Sequence, residues 1–274
     1  MKPIVLPPHV NYIAAFLTLR CNMACPYCIN KQGDFKAPPE MDWKDWAEGL
    51  SRIKTRKDLP ITFQGGEPTI YQGFYSLVQE LACRYKFLDL LTNGTFNLNE
   101  FTHFIHPGVF RRPAPYASIR FSYHGQQGKA FLGLLDKLIT LQTAKYSVGL
   151  WGLSNQKGLE KVKRACTYWE LDFRVKEYLD AEHGTYKYPG ALNKPNHRVM
   201  CKPSEFLAAP DGQLYRCHAD LYAGRDSYGH ILDEEIKFPD WLACDNCGSC
   251  NPCDIKLKTN RLQEYGHCSV EIRQ

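Results

Sequence analysis

Cys21-Asn22-Met23-Ala24-Cys25-Pro26-Tyr27-Cys28 carries three cysteines separated by three and then two residues, just after the apolar run YIAAFLTL at 12–19. Thiolates this close in one loop suit a soft metal or an iron–sulfur cluster better than disulfide bridges. Three sulfurs leave a cubane one ligand short. A 4Fe–4S cluster on Cys21, Cys25 and Cys28 therefore keeps one iron open to a ligand that is not protein. A zinc knuckle lacking its fourth ligand is the competing reading of the same spacing.

Outward from this loop, the sequence alternates between two periodicities. The run at 12–19 is short and apolar and predicts the first strand. Residues 42–57 set Trp43, Trp46, Leu50 and Ile53 at helical spacing, with Asp42 at the start. Further strands are predicted at 61–63, 87–91, 117–121, 147–153 and 172–179, and further helices at 72–86, 97–105, 129–144 and 157–169. A loop rich in proline and arginine fills 107–115. Six strands alternating with helices argue for a parallel α/β sheet or barrel. Such sheets bind ligands at the C-terminal ends of their strands. The cysteine loop, Gly65-Gly66-Glu67-Pro68, Thr92-Asn93-Gly94 and Ser122-Tyr123-His124-Gly125 each follow a predicted strand directly, so one fold gathers them at one rim.

The CxxxCxxC run with Tyr27 before its last cysteine resembles the signature of radical S-adenosylmethionine (SAM) enzymes. The strand–helix alternation over 11–180 resembles their six-stranded (β/α)6 partial TIM barrel. The resemblance implies that the amino and carboxylate groups of SAM chelate the open iron. Electron injection then yields methionine and a 5′-deoxyadenosyl radical that abstracts a hydrogen atom. Gly65-Gly66-Glu67-Pro68 resembles the family's GGE motif, in which glycine backbone, with Glu67 in support, binds the SAM amino group. Thr92 and Asn93 are then expected near SAM, although Asn-Gly also suits an ordinary turn. Ser122 is expected at the SAM ribose or carboxylate, and Tyr27 is expected to lend its backbone carbonyl to the adenine. His124 stands where the family pattern has an aspartate, and a plain structural histidine is an equal reading.

Composition changes after Leu179. Residues 1–180 form the expected barrel domain, 181–200 a linker or substrate-facing loop, and 201–274 a cysteine-rich unit. The last holds Cys201, Cys217, Cys244, Cys247, Cys250, Cys253 and Cys268. Pro210-Asp211-Gly212-Gln213, between apolar runs at 206–209 and 214–216, predicts a β-hairpin that holds Cys201 and Cys217 close together. Seven cysteines and Gly212-x4-Cys217 resemble the SPASM extension of radical SAM enzymes, whose auxiliary clusters accept an electron or bind substrate. That resemblance implies one auxiliary cluster on Cys244, Cys247, Cys250 and Cys268 and a second on Cys201, Cys217 and Cys253. The shorter twitch domain implies one, on Cys201, Cys217 and a CxxC pair. A zinc ribbon suits the CxxC pairs as well. In SPASM dehydrogenases an aspartate after the hairpin cysteine is the general base; here that place holds His218, a residue able to take a proton near neutral pH. Tyr178, His183, Tyr186, Tyr188 and His197 are further candidates for a substrate cavity.

Composition sets the remaining limits. A net charge of +5, spread along 274 residues, argues against a nucleic-acid partner. No apolar stretch approaches the roughly 18 residues of a membrane span. The N-terminus lacks an export core. Twelve cysteines without an export signal point to a cytoplasmic chain whose thiols hold metal. Cys83 and Cys166 stand apart and read as buried thiols. The expected activity is oxidative modification or cross-linking of a peptide, with auxiliary clusters as electron acceptor. A small-molecule dehydrogenase or epimerase of sugars or aminocyclitols is the enzyme alternative. An iron–sulfur electron carrier or a zinc scaffold is the alternative from another class. Flavodoxin or ferredoxin is the expected reductant. The stretch before Cys21 is short for a leader-peptide-binding domain, so a separate leader-binding protein is an expected partner.

Overall fold

Six short strands form the centre of the molecule; the first is buried almost throughout, and the last is partly exposed. They are β1 (Tyr12–Thr18), β2 (Ile61–Gly65), β3 (Leu88–Thr92), β4 (Ile119–Ser122), β5 (Val148–Leu153) and β6 (Asp172–Lys176). All pair in parallel, in chain order. Strands covered on both sides read as continuous apolar runs rather than alternating ones, and β1 is the clearest case. The structure, a computed structural model, describes residues 2–31, 37–56, 58–111, 114–125, 128–180, 182, 184–258 and 268–274.

The crossovers are α1 (Trp43–Ser51), α2 (Phe74–Cys83), α3 (Leu98–Phe104), α4 (Lys129–Thr143) and α5 (Leu159–Tyr168). Each lays an apolar stripe on the sheet. In α2 the stripe is Phe74, Leu77, Val78 and Leu81, and in α4 it is Leu134, Leu135, Leu138 and Leu141. Asp42 starts α1 by accepting the Lys44 N–H at 2.9 Å, and Asn97 starts α3 by accepting that of Glu100 at 3.1 Å. The α/β parallel architecture expected from the sequence is therefore present. Helix α1 stops at Ser51, earlier than its apolar spacing suggested, because Ile53 leaves the helix and forms a parallel bridge with Ile4. Both isoleucines are buried there. Lys57, Arg112, Pro113 and His183 lie outside the described residues. Cys166 is buried as expected, but Cys83 is exposed, since it closes α2 on the solvent side.

The C-terminal third adds β7 (His197–Pro203), β8 (Glu205–Ala208), β9 (Gln213–Tyr215), α6 (His218–Ala223), β10 (Gly229–His230), β11 (Leu242–Cys247), α7 (Pro252–Ile255) and β12 (Val270–Arg273). The expected hairpin is β8–β9, paired Leu207↔Tyr215 and Ala208↔Leu214. It does not stand alone. Strand β8 runs parallel to β1, from Tyr12↔Glu205 to Ala15↔Ala208, so the sheet continues past β1 as β10-β9-β8-β1. An apolar edge strand left open invites wrong pairing, and the hairpin covers this one. Strands β11, β7 and β12 form a second, antiparallel sheet. Among the described residues, no helix is long and apolar enough to cross a membrane.

Candidate functional site

The strand ends open into a cavity of about 670 Å³. The loop after β1 supplies Cys21, Cys25, Tyr27 and Cys28 to its wall, and the ends of β2, β3 and β4 with the turns that follow supply Gly65, Gly66, Glu67, Thr92, Asn93 and Ser122. The C-terminal third contributes His218 and Cys253. Pro68 is not on the wall; it is buried in the turn behind it. Of the aromatic and histidine candidates in 178–197, Tyr178 lines the cavity. Tyr186 and Tyr188 pack instead against the cysteines of the second sheet, and His197 is exposed.

Two glycines fix how the cysteine loop sits. A Cβ on Gly65, whose φ is +135°, would stand 2.2 Å from the Thr18 carbonyl oxygen, and one on Gly66 would stand 1.8 Å from that of Arg20. Only glycine allows this approach. It lets the Gly66 N–H donate to Thr18 at 2.8 Å and the Glu67 N–H donate to Arg20 at 2.9 Å. Arg20 in turn makes a two-pronged contact with Glu40, at 2.7 and 2.8 Å.

Glu67 joins the next two loops. Its Oε1 accepts the hydroxyls of Thr69 and Thr92, each at 2.7 Å, and its Oε2 accepts the Asn93 N–H at 2.6 Å. Burial raises its pKa against four hydrogen bonds that favour the charged form. Asn93 continues the chain of contacts: its Nδ2 donates to Asn22 Oδ1 at 2.8 Å and stands 3.7 Å from the Cys21 sulfur.

On the opposite side of the cysteine loop, His124 has its Nδ1 2.9 Å from the Tyr27 hydroxyl and 3.4 Å from the Cys25 sulfur. The two rings stack at 6.2 Å between centroids and 14° between planes. Burial lowers the His124 pKa and pushes the Tyr27 phenol up to about 12, so the ring is neutral and the phenol stays protonated at neutral pH. Gln156 donates to the Tyr27 hydroxyl at 3.3 Å and to the Tyr123 carbonyl at 2.6 Å. Neither His124 nor Gln156 could be paired with Tyr27 from the sequence; the only signal was the place of His124 at a strand end.

The other cysteines divide. Cys201 on β7 donates its thiol to Cys244 on β11, which keeps Cys201 protonated and lowers Cys244 to about 6. Cys247 and Cys250 also share a hydrogen bond. Cys217 caps α6, accepting the Asp220 N–H at 3.4 Å. Beside it, buried Arg216 pairs with Asp220 at 2.6 Å; burial raises the Cys217 thiol, and the Arg216 charge partly offsets that rise there and at Cys201. Cys253 instead faces the cavity near Lys258, Glu205 and Lys176. Cys268 is buried against the Ile255 carbonyl at 3.5 Å. His218 has its Nδ1 2.7 Å from Asp254 Oδ1, and the same carboxylate accepts the His218 N–H at 2.8 Å and the Ala219 N–H at 3.1 Å.

Among the described residues, no three His, Cys, Asp or Glu side chains converge as one metal ion requires. A cluster interposes several irons and sulfides and takes a wider set of soft thiolates. Three cysteines on the wall of a cavity of small-molecule size fit such a cluster and a bound nucleotide.

Comparison with known proteins agrees with this geometry. Residues 16–109 match the model of the radical SAM superfamily. The chain is 30% identical over 92 residues to the PqqA peptide cyclase of Rhizobium meliloti, covering 34% of this chain and 24% of that protein. It is 33% identical over 89 residues to the PqqA peptide cyclase of Methylobacterium nodulans, covering 32% and 23%. The aligned stretch thus spans about a quarter of these relatives' length. The fold is similar to that of Streptococcus suis SuiB bound to precursor peptide SuiA, with a TM-score of 0.56 at 13% identity over 82% of this chain and 63% of that one. SuiB bound to S-adenosylmethionine gives the same TM-score, 0.56, at 12% identity over 82% and 64%. The three-cysteine loop after β1 lies inside the stretch that matches the radical SAM superfamily, whose members work with a 4Fe–4S cluster and SAM, and the parallel strands behind it share their fold with SuiB.

Proposed function

We propose that this chain modifies a peptide by radical SAM chemistry. The observation that carries the reading is one shared cavity walled by the cysteine loop, the three strand-end motifs and the C-terminal third. The named relatives act on peptides or hold one, which favours a peptide over a sugar or aminocyclitol.

In this reading Cys21, Cys25 and Cys28 would hold the cluster, and the Gly65-Gly66 backbone with Tyr27, Thr92, Asn93 and Ser122 would hold SAM. When bound, the pair supplies one-electron cleavage of SAM and a radical that takes a hydrogen atom from an unactivated C–H bond. The chain's own residues do the rest. Glu67 locks the second and third strand ends to each other, and Asn93 carries that rigidity to the cysteine loop. Phe16, Tyr123 and Trp151 give the cavity apolar walls that keep water from the reacting bond. His218, oriented by Asp254, is the group we assign to take the substrate proton.

Cys201, Cys217, Cys244 and Cys247 hold one auxiliary cluster of the twitch or SPASM kind, and flavodoxin or ferredoxin supplies the electron. The hydrogen bond from Cys201 to Cys244 and the charge of Arg216 favour this set, whereas Cys253 faces the other way, into the cavity. A separate protein presents the leader of the substrate peptide.

The test is anaerobic. Reconstituted, reduced protein incubated with SAM is expected to release 5′-deoxyadenosine, and Cys25→Ala is expected to release none. Substrate deuterated at the reacting carbon passes its label to that product. Absence of 5′-deoxyadenosine from the wild-type holoprotein overturns the reading.

A further inference from the structure

Five cations stand on the cavity wall: Arg120, Arg174, Lys176, Lys256 and Lys258. Four have a carboxylate. Arg120 pairs with Asp89 at 2.9 Å, Arg174 with Asp172 at 2.6 Å, Lys256 with Glu177 at 3.2 Å and Lys258 with Glu205 at 2.8 Å. Lys176, at the end of β6, has no ion pair or hydrogen bond among the described residues. It reaches into the cavity beside Arg120, Lys256 and Lys258. Partial desolvation by the cavity wall and the charges of Arg120, Lys256 and Lys258 lower its pKa to about 8, against Cys253, which raises it. Lys176 is exposed, so its ammonium is open to an anion entering the cavity, whereas its neighbours already hold carboxylates.

Resting on the peptide reading above, we propose that Lys176 binds a carboxylate of the substrate, so that the peptide entering this cavity is recognised by a glutamate or aspartate side chain. Besides Arg120 of β4, Lys176 has Cys253, Lys256 and Lys258 of the C-terminal third as its neighbours, whereas the residues assigned to SAM lie at or after the ends of β1 to β4. That placement favours the substrate over the carboxylate of SAM. The flanking cations add attraction for an acidic peptide without competing for the ion pair, since each already has its own carboxylate.

Two pools of capped peptides test this, one with a central glutamate and one with glutamine, random elsewhere, titrated by fluorescence anisotropy into the reconstituted holoprotein. Wild type is expected to bind the glutamate pool about tenfold more tightly, the size of one charge-assisted hydrogen bond. Lys176→Met loses the preference, Lys176→Arg keeps most of it, and both bind SAM as wild type does. Equal binding of the two pools overturns the proposal, as does a preference that survives Lys176→Met. Loss of SAM affinity in Lys176→Met assigns the ammonium to SAM and overturns it too. So does a shift of the auxiliary cluster's electron paramagnetic resonance signal in that variant with peptide preference intact. A wild-type protein that prefers the glutamate pool yet releases no 5′-deoxyadenosine supports this proposal while removing the radical reading.

Discussion

Glu67 Oε2 accepts the Asn93 amide N–H at 2.6 Å, and this bond ties the loop after β2 to the loop after β3. Neither residue can move without the other, and Asn93 also holds Asn22 beside Cys21. The geometry at the first cysteine thus depends on a carboxylate that touches no sulfur.

Glu67→Gln replaces one acceptor by a donor facing the Asn93 N–H. SAM affinity is expected to fall about tenfold, the weight of one hydrogen bond to a charged group. Circular dichroism is expected to show the barrel retained. Isothermal titration with SAM checks this, and an unchanged affinity would remove Glu67 from the supporting role.

Arg120 and Asp89 form an ion pair inside the barrel, with side chains 13% and 1% exposed. Arg120→Met removes the cation from a buried ion pair and is expected to cost about 3 kcal/mol, at the lower end of the range for breaking buried pairs. Asp89→Asn in the same chain recovers a large part of the loss. Urea unfolding of the single and double variants reads both values.

The contrast between Cys244 and Cys253 separates the cluster counts. One SAM-site cluster plus one auxiliary cluster gives about eight irons per chain, against about twelve for three cubanes. Cys244→Ser is expected to lose about half of the iron, and Cys253→Ser is expected to keep it. Iron and sulfide assays with Mössbauer spectra decide between them; loss of a whole cluster in Cys253→Ser would restore the two-auxiliary arrangement.

Binding of an acidic peptide is expected to depend on pH through Lys176. Its pKa in the free protein is lowered to about 8, so the ammonium is present below that pH and lost above it. A bound carboxylate raises this pKa, which means that affinity falls as pH rises past the free value. Preference for the glutamate pool should be full near pH 7 and largely gone by about pH 10. For stability the same shift has the opposite sign. The unfolded chain binds the extra proton between about 8 and 10.5, so this group's destabilising contribution fades as pH rises through that window.

Local features of this protein were legible in the sequence because their physics is local. The spacing of Cys21, Cys25 and Cys28 is a property of one loop. The six parallel strands announced themselves through apolar runs and helical spacing, and their boundaries moved by a few residues at most. Gly65 and Gly66 stood out because glycine pairs at strand ends mark close backbone approach, and the structure gives the reason: they face the carbonyls of Thr18 and Arg20, at the end of β1 and just past it, at a distance no side chain tolerates. Helix α1 was overextended because Ile53 keeps helical spacing while its burial comes from Ile4, a contact from a distant part of the chain.

What only the tertiary structure decided are relationships between residues far apart in the chain. The His124–Tyr27 contact joins positions 97 apart, and β8 finds the edge of β1 across nearly the whole barrel. The hairpin could be read from its turn, but not the strand it would dock on, because edge pairing is set by which backbone is left uncovered. The same holds for Lys176. A lysine at a strand end looks like any solvated charge in the sequence. It becomes an unmatched ammonium only once folding has given Arg120, Lys256 and Lys258 their carboxylates and left it none among the described residues.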